Sequence, residues 1–130
     1  MTKKPLTKIL YAEDDPDIQM IARMSLETVG GYTLKICDDG NQALKDIAEF
    51  SPDLILLDVM MPNRDGPGTL EALRDMPEFA TTPVVFMTAK VMKADIDDYK
   101  ALGAVDVISK PFDPMKLPEQ IKTIWESLDG

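Results

Sequence analysis

The feature that most constrains this chain is a fivefold alternation of short apolar runs with segments whose apolar residues recur at helical spacing. The most telling run is Leu54-Ile55-Leu56-Leu57, which follows Asp53 and is closed by Asp58. It shows no polar alternation, so both of its faces must be buried, as in a central strand of a parallel sheet. Before it, Ile9-Leu10-Tyr11-Ala12 reads as a strand. The acidic turn Glu13-Asp14-Asp15-Pro16 follows, then Ile18, Ile21, Ala22, Leu26 and Val29 on one helical face, stopped by Gly30-Gly31. Residues 32–37 alternate as a strand, and Ala43, Leu44, Ile47 and Ala48 share the next helical face. After Asp58, residues 59–68 read as a loop and a short helix lies around 70–73. Residues 83–88 form the fourth strand. Met92, Ile96, Tyr99 and Leu102 give a helix closed by Gly103, and 105–109 form the fifth strand. Leu117, Ile121, Ile124, Trp125 and Leu128 stripe the last helix, with Pro118 tolerated in its first turn. Five βα units in tandem predict an α/β fold: a five-stranded parallel sheet with helices on both faces.

The 130 residues make one domain over 1–130, with a core over about 7–128. The last helix runs to the end of the sequence, so no output domain is expected. No apolar run approaches the roughly 20 residues that span a bilayer, and the start MTKKPLTK has no signal-peptide core, so neither membrane nor export is expected. Cys37 is the one cysteine; it excludes an internal disulfide and suits a reducing cytoplasm. The formal charge of −9 and the lack of a basic cluster argue against a nucleic-acid partner. With no histidine, the chain has no Ser-His-Asp or Cys-His catalysis, no histidine metal ligand and no phosphohistidine of its own.

In sheets of this kind, ligands bind outside the carboxyl ends of the strands. Strand one ends there in Glu13, Asp14 and Asp15, strand three in Asp58, strand four in Thr88 and strand five in Lys110-Pro111. If strands one and three are neighbours, their carboxylates crowd together and repel, which a bound cation relieves. An all-oxygen set suits a hard ion such as Mg²⁺. A carboxylate nucleophile, a metal, a lysine and a hydroxyl together are an arrangement for phosphoryl transfer.

The segments ILYAEDD (9–15), DLILLDVMMPNRDG (53–66), VVFMTA (84–89) and VISKPF (107–112) resemble the response-regulator receiver family, over nearly the whole chain. The resemblance implies a flavodoxin-like strand order 2-1-3-4-5; a chemotaxis receiver is itself a standard example of that order. It implies that Asp58 is the phosphoacceptor and Asp14 a direct ligand of Mg²⁺ (or Mn²⁺). Glu13 then acts on the metal largely through water, and the backbone carbonyl of Met60 completes the protein ligands. Thr88 and Lys110 are the switch hydroxyl and the phosphate-binding lysine, and the Lys110-Pro111 bond is cis. The implied function is that of a phosphoacceptor in a two-component or phosphorelay system. Its donor is a histidine kinase or histidine phosphotransfer protein, and its output is an unidentified protein target. It is no enzyme beyond assisting its own phosphorylation and dephosphorylation.

Two departures stand out. Glu13 occupies a place where the family often has Asp. Val107 occupies the place, three before the lysine, where the family usually has Tyr or Phe, so the usual aromatic rotation has no residue to perform it. Val107 is the one feature favouring a second reading, a receiver fold kept as an interaction module without phosphorylation. A flavodoxin-like cofactor binder is a third reading, and Glu13-Asp14-Asp15 would repel its phosphate.

Overall fold

A computed structural model describes residues 4–128; of the expected 1–130 domain, residues 1–3 and 129–130 lie outside the described residues. The strands are β1 (Lys8–Ala12), β2 (Thr33–Cys37), β3 (Leu54–Asp58), β4 (Val84–Thr88) and β5 (Asp106–Ser109). All pair in parallel, in the order β2-β1-β3-β4-β5, so the expected order 2-1-3-4-5 is the observed one. Every residue of β3 and β4 is buried, because these strands have a neighbour on each edge and helices over each face.

The helices are α1 (Pro16–Arg23), α2 (Gly40–Phe50), α3 (Gly66–Arg74), α4 (Lys93–Ala101) and α5 (Leu117–Ser127). Alternation along the strands divides the core into two layers. Ile9, Tyr11, Leu54, Leu56, Val85, Met87 and Ile108 pack with α1 and α5 residues such as Ala22, Leu117 and Ile121. Leu10, Ala12, Ile55, Leu57, Val84 and Phe86 pack on the other face with Ala43 and Ile47 of α2 and Leu70 and Leu73 of α3. Each buried Val, Leu, Ile, Phe or Met among these contributes roughly 1.5–3 kcal/mol by leaving water.

The helices depart from their expected limits in three places. Beyond α1, Met24–Val29 widens into π-helical turns, with Gly30 N–H bonded to the Ser25 carbonyl. The wider turn breaks the 3.6-residue register beyond Leu26, so Val29 is exposed while Ala22, Ser25 and Leu26 are buried; Ile21, within α1, also faces solvent. Gly31, at φ 75°, then ends the segment in the left-handed region. Helix α3 begins at Gly66, inside the expected loop. Its first turn needs no internal donors, so Pro67 is tolerated, and the Asp65 carboxylate caps the Gly68 N–H at 2.8 Å. Helix α4 buries no residue; Ile96 and Tyr99 are half-buried and Met92 and Leu102 face solvent.

Candidate functional site

The strand register brings the charged residues together. Ala12 stands opposite Leu57, so one residue further on Glu13 comes beside Asp58. Alternation does the rest. Tyr11, Leu56 and Ile108 face the α1/α5 layer, and Glu13, Asp58 and Lys110 lie two residues beyond them on the same face, above the end of the sheet.

Lys110 Nζ stands 2.9 Å from Glu13 Oε1 and 3.2 Å from Asp58 Oδ1. Lys110 is thus shared between the two acids, and the shorter contact goes to Glu13. Glu13 is 1% exposed and Asp58 6%, whereas Asp14 faces solvent. Glu13 Oε2 accepts the Asp15 N–H at 3.2 Å, and its Oε1 also accepts the Tyr11 hydroxyl at 3.3 Å. The Gln19 amide ties the Glu13 carbonyl to the Asp38 carboxylate, fixing the turn that carries these acids. Gly66 lies under Asp58, where a Cβ would fall 2.7 Å from the Asp58 carbonyl oxygen, so only glycine lets α3 start so close.

Burial pushes the Asp58 carboxyl up to about 6, the Glu13 charge pushes the same way, and Lys110 opposes both. Burial works to lower the Lys110 ammonium, but its hydrogen bond to Glu13 and the charges of Glu13 and Asp58 outweigh that and hold it above its ordinary value. One oxygen each from Glu13, Asp14 and Asp58 lies within 4.8 Å of the others. Three carboxylates, with no sulfur or imidazole among them, fit a hard divalent ion of the Mg²⁺ type. Burial is the larger cause of the raised Asp58 pKa, and the Glu13 charge that adds to it is what such an ion would offset.

A cavity of about 330 Å³ opens beside Asp58, lined also by Met60, Thr88, Lys90, Tyr99 and Lys110. A second, of about 410 Å³, joins Asp14, Met60 and Asp65. Met60 borders both cavities and is 77% exposed. Thr88 is buried, and its Oγ1 accepts the Lys90 N–H at 3.0 Å, which leaves its own proton available to donate. The Lys110-Pro111 bond is cis. Val107 is half-buried in the α2/α3 layer opposite Phe86 and does not line the cavity; the aromatic that does is Tyr99, set edge-to-face on Phe86 with centroids 5.2 Å apart. Cys37 ends β2, buried, with its thiol pushed up to about 12 by burial and the nearby Asp46 charge, which makes it an inert core residue.

Sequence reasoning overlooked Tyr11 and Tyr99. The even spacing of Tyr11 and Glu13 signalled the first, since it puts both on one face; the second depends on where α4 docks, which no periodicity records.

A family model described as the response regulator receiver domain matches residues 9–122. The transcriptional regulatory protein CpxR of Escherichia coli is 39% identical over 119 residues, covering 92% of this chain and 49% of its own length. The transcriptional regulatory protein RprY of Bacteroides fragilis is 35% identical, covering 95% of this chain and 51% of its own. The chain thus spans about half the length of the curated relatives it matches. Among solved structures, the chemotaxis response regulator CheY4 of Vibrio cholerae superposes with a TM-score of 0.85 at 27% identity, covering 92% of this chain and 99% of that one. A Francisella response regulator receiver domain gives 0.82 at 28%, covering 92% and 97%.

Proposed function

The chain belongs to the response regulator receiver family, and from that premise we propose that it takes a phosphoryl group from a phosphohistidine donor onto Asp58. The observation that carries this reading is the setting of Asp58. It is a buried carboxylate closing the central strand, 3.2 Å from Lys110 and clustered with two further acids. With its pKa at about 6, Asp58 is largely ionised at neutral pH and able to act as nucleophile. One carboxylate oxygen attacks phosphorus, a P–O bond forms, and the P–N bond breaks with its electron pair leaving on the donor imidazole. Lys110 and the Thr88 hydroxyl then meet the phosphoryl oxygens from two sides of the cavity.

Glu13, Asp14, Asp58 and the Met60 carbonyl would hold a Mg²⁺ or Mn²⁺ ion, whose charge offsets that of the incoming phosphoryl group. Without it, Asp58 faces the Glu13 charge unrelieved except by Lys110.

By the family reading the donor is a histidine kinase or histidine phosphotransfer protein; with no histidine the chain cannot supply the phosphohistidine itself. The output is a change in protein–protein contact. A charge of −9 disfavours nucleic acid as the partner of this stretch, although longer relatives are transcriptional regulators. No helix among the described residues is long and apolar enough to cross a membrane, and the reading places the chain in the cytoplasm. Its chemistry is confined to gaining and losing its own phosphoryl group.

Incubation with acetyl phosphate tests this. The chain should gain one phosphoryl group in Mg²⁺-dependent fashion, and Asp58→Asn should gain none. A chain that stays unmodified would favour the second reading, an interaction module, to which Val107 is the one pointer.

A further inference from the structure

Tyr11 is fully buried in the α1/α5 layer, yet its hydroxyl reaches the end of the sheet and donates to Glu13 Oε1 at 3.3 Å. That same oxygen carries Lys110 at 2.9 Å, while Oε2 is held by the Asp15 N–H at 3.2 Å. A carboxylate has about four lone-pair positions. Among the described residues three donors therefore reach the Glu13 carboxylate, which leaves one lone-pair position, and a Glu13 oxygen lies within 4.8 Å of oxygens of Asp14 and Asp58. The length of the acid matters. Glu13 Oε1 reaches the hydroxyl and the ammonium together, and an aspartate would draw that oxygen back by one carbon from both. Tyr11 reaches this cluster from the buried apolar layer.

We propose that Tyr11 is a positioning residue of the acceptor site: its hydroxyl fixes the Glu13 carboxylate so that Lys110 is suspended between Glu13 and Asp58, with one Glu13 lone pair kept toward the metal position. The proposal deepens the phosphoacceptor reading and rests on it. Removal of the hydroxyl frees the carboxylate to turn. It would then draw Lys110 toward itself and away from Asp58, and would no longer be held in place to meet a cation.

The consequence is a coupling between Tyr11 and Glu13 that a merely space-filling tyrosine lacks. The test uses Tyr11→Phe, which keeps the ring and so the core, in the wild-type and Glu13→Asp backgrounds, with Tyr32→Phe as a control far from the site. The first readout needs neither metal nor phosphodonor: the Lys110 ammonium ¹⁵N–¹H resonance of the metal-free chain. It should move in Tyr11→Phe and stay in Tyr32→Phe. The second is the Mg²⁺-dependent rate of phosphorylation by acetyl phosphate. Tyr11→Phe should slow it about three- to tenfold in the wild-type background and by less than about 1.5-fold beside Glu13→Asp, where the contact is already broken. An unmoved Lys110 resonance, or equal slowing in both backgrounds, overturns the proposal. The Tyr11 Cζ resonance, which should respond to Glu13→Asp while that of Tyr32 does not, decides the contact independently of Tyr11→Phe. A wild-type chain that takes no phosphoryl group would instead defeat the acceptor reading, and the resonances would still decide whether Tyr11 holds Glu13.

Discussion

Asp58 should weaken the very fold that holds it. Its carboxyl is raised from an ordinary 3.8 to about 6, first by burial and then by the Glu13 charge, with Lys110 only partly compensating. A carboxyl whose folded pKa lies above its unfolded one binds its proton more tightly when folded. Its contribution to stability is greatest below 3.8 and is lost as pH rises through about 6. The gap between those values, at about 1.4 kcal/mol per pH unit, corresponds to about 3 kcal/mol of destabilisation at pH 7.5. Asp58→Asn keeps the shape and removes the charge. In metal-free buffer at pH 7.5 it should be more stable than wild type by about 2–3 kcal/mol, a rise in Tm on the order of 10 °C. The advantage should shrink as pH falls from 6 toward 4, where wild type becomes protonated. Saturating Mg²⁺ should narrow the difference at pH 7.5, since binding to the wild-type acids stabilises the folded state by about 2.7 kcal/mol at a hundredfold excess over Kd. Urea unfolding of both chains at several pH values, with and without Mg²⁺, measures all of this. An Asn variant no more stable than wild type at pH 7.5, or one with an unchanged pH profile, would refute the account of strain at Asp58.

At the opposite end of the sheet, Asp53 accepts hydrogen bonds from Lys4, the Thr7 N–H and hydroxyl, and the Lys8 N–H, which against the effect of burial hold its carboxyl at about 2. Its folded pKa is depressed, so Asp53→Asn should cost about 2 kcal/mol at pH 7, and the cost should disappear as pH falls from 3.8 toward 2, read by urea melts. Lys110→Ala removes the cation between two buried acids. It should leave Mg²⁺ affinity by calorimetry at least as high as in wild type, while phosphorylation-dependent amide shifts are lost. With Val107 in place of an aromatic, the amide shifts caused by beryllofluoride, an acyl-phosphate mimic, should centre on Thr88 and α4; largest changes in α2 would contradict that.

The strands were legible because their burial is written into local runs. Leu54 to Leu57 is apolar on both faces, and the structure buries all four residues. The residues ending those strands could be named as well, because a parallel α/β sheet delivers its carboxyl ends to one edge. Helices whose faces depend on geometry beyond 3.6 periodicity were read less well. The π-helical turns at Met24–Val29 turn Val29 outward, and α4 touches the sheet through half-buried Ile96 and Tyr99 instead of a full stripe. Within the site, the sequence set Glu13 apart by its length. That Glu13 is the most buried of the clustered acids, and that it holds Lys110 more closely than Asp58 does, follows from side-chain reach across three strands. No linear pattern encodes such a distance.

The phosphoacceptor assignment is tested most directly by locating the modified residue. Wild-type chain phosphorylated with acetyl phosphate and Mg²⁺ can be reduced with borohydride, which converts an aspartyl phosphate to homoserine, and then digested and sequenced by mass. The account predicts homoserine at position 58 alone. Homoserine at Asp14 or Asp15, or a wild-type chain whose Asp58 is unchanged while phosphate is incorporated elsewhere, would contradict it.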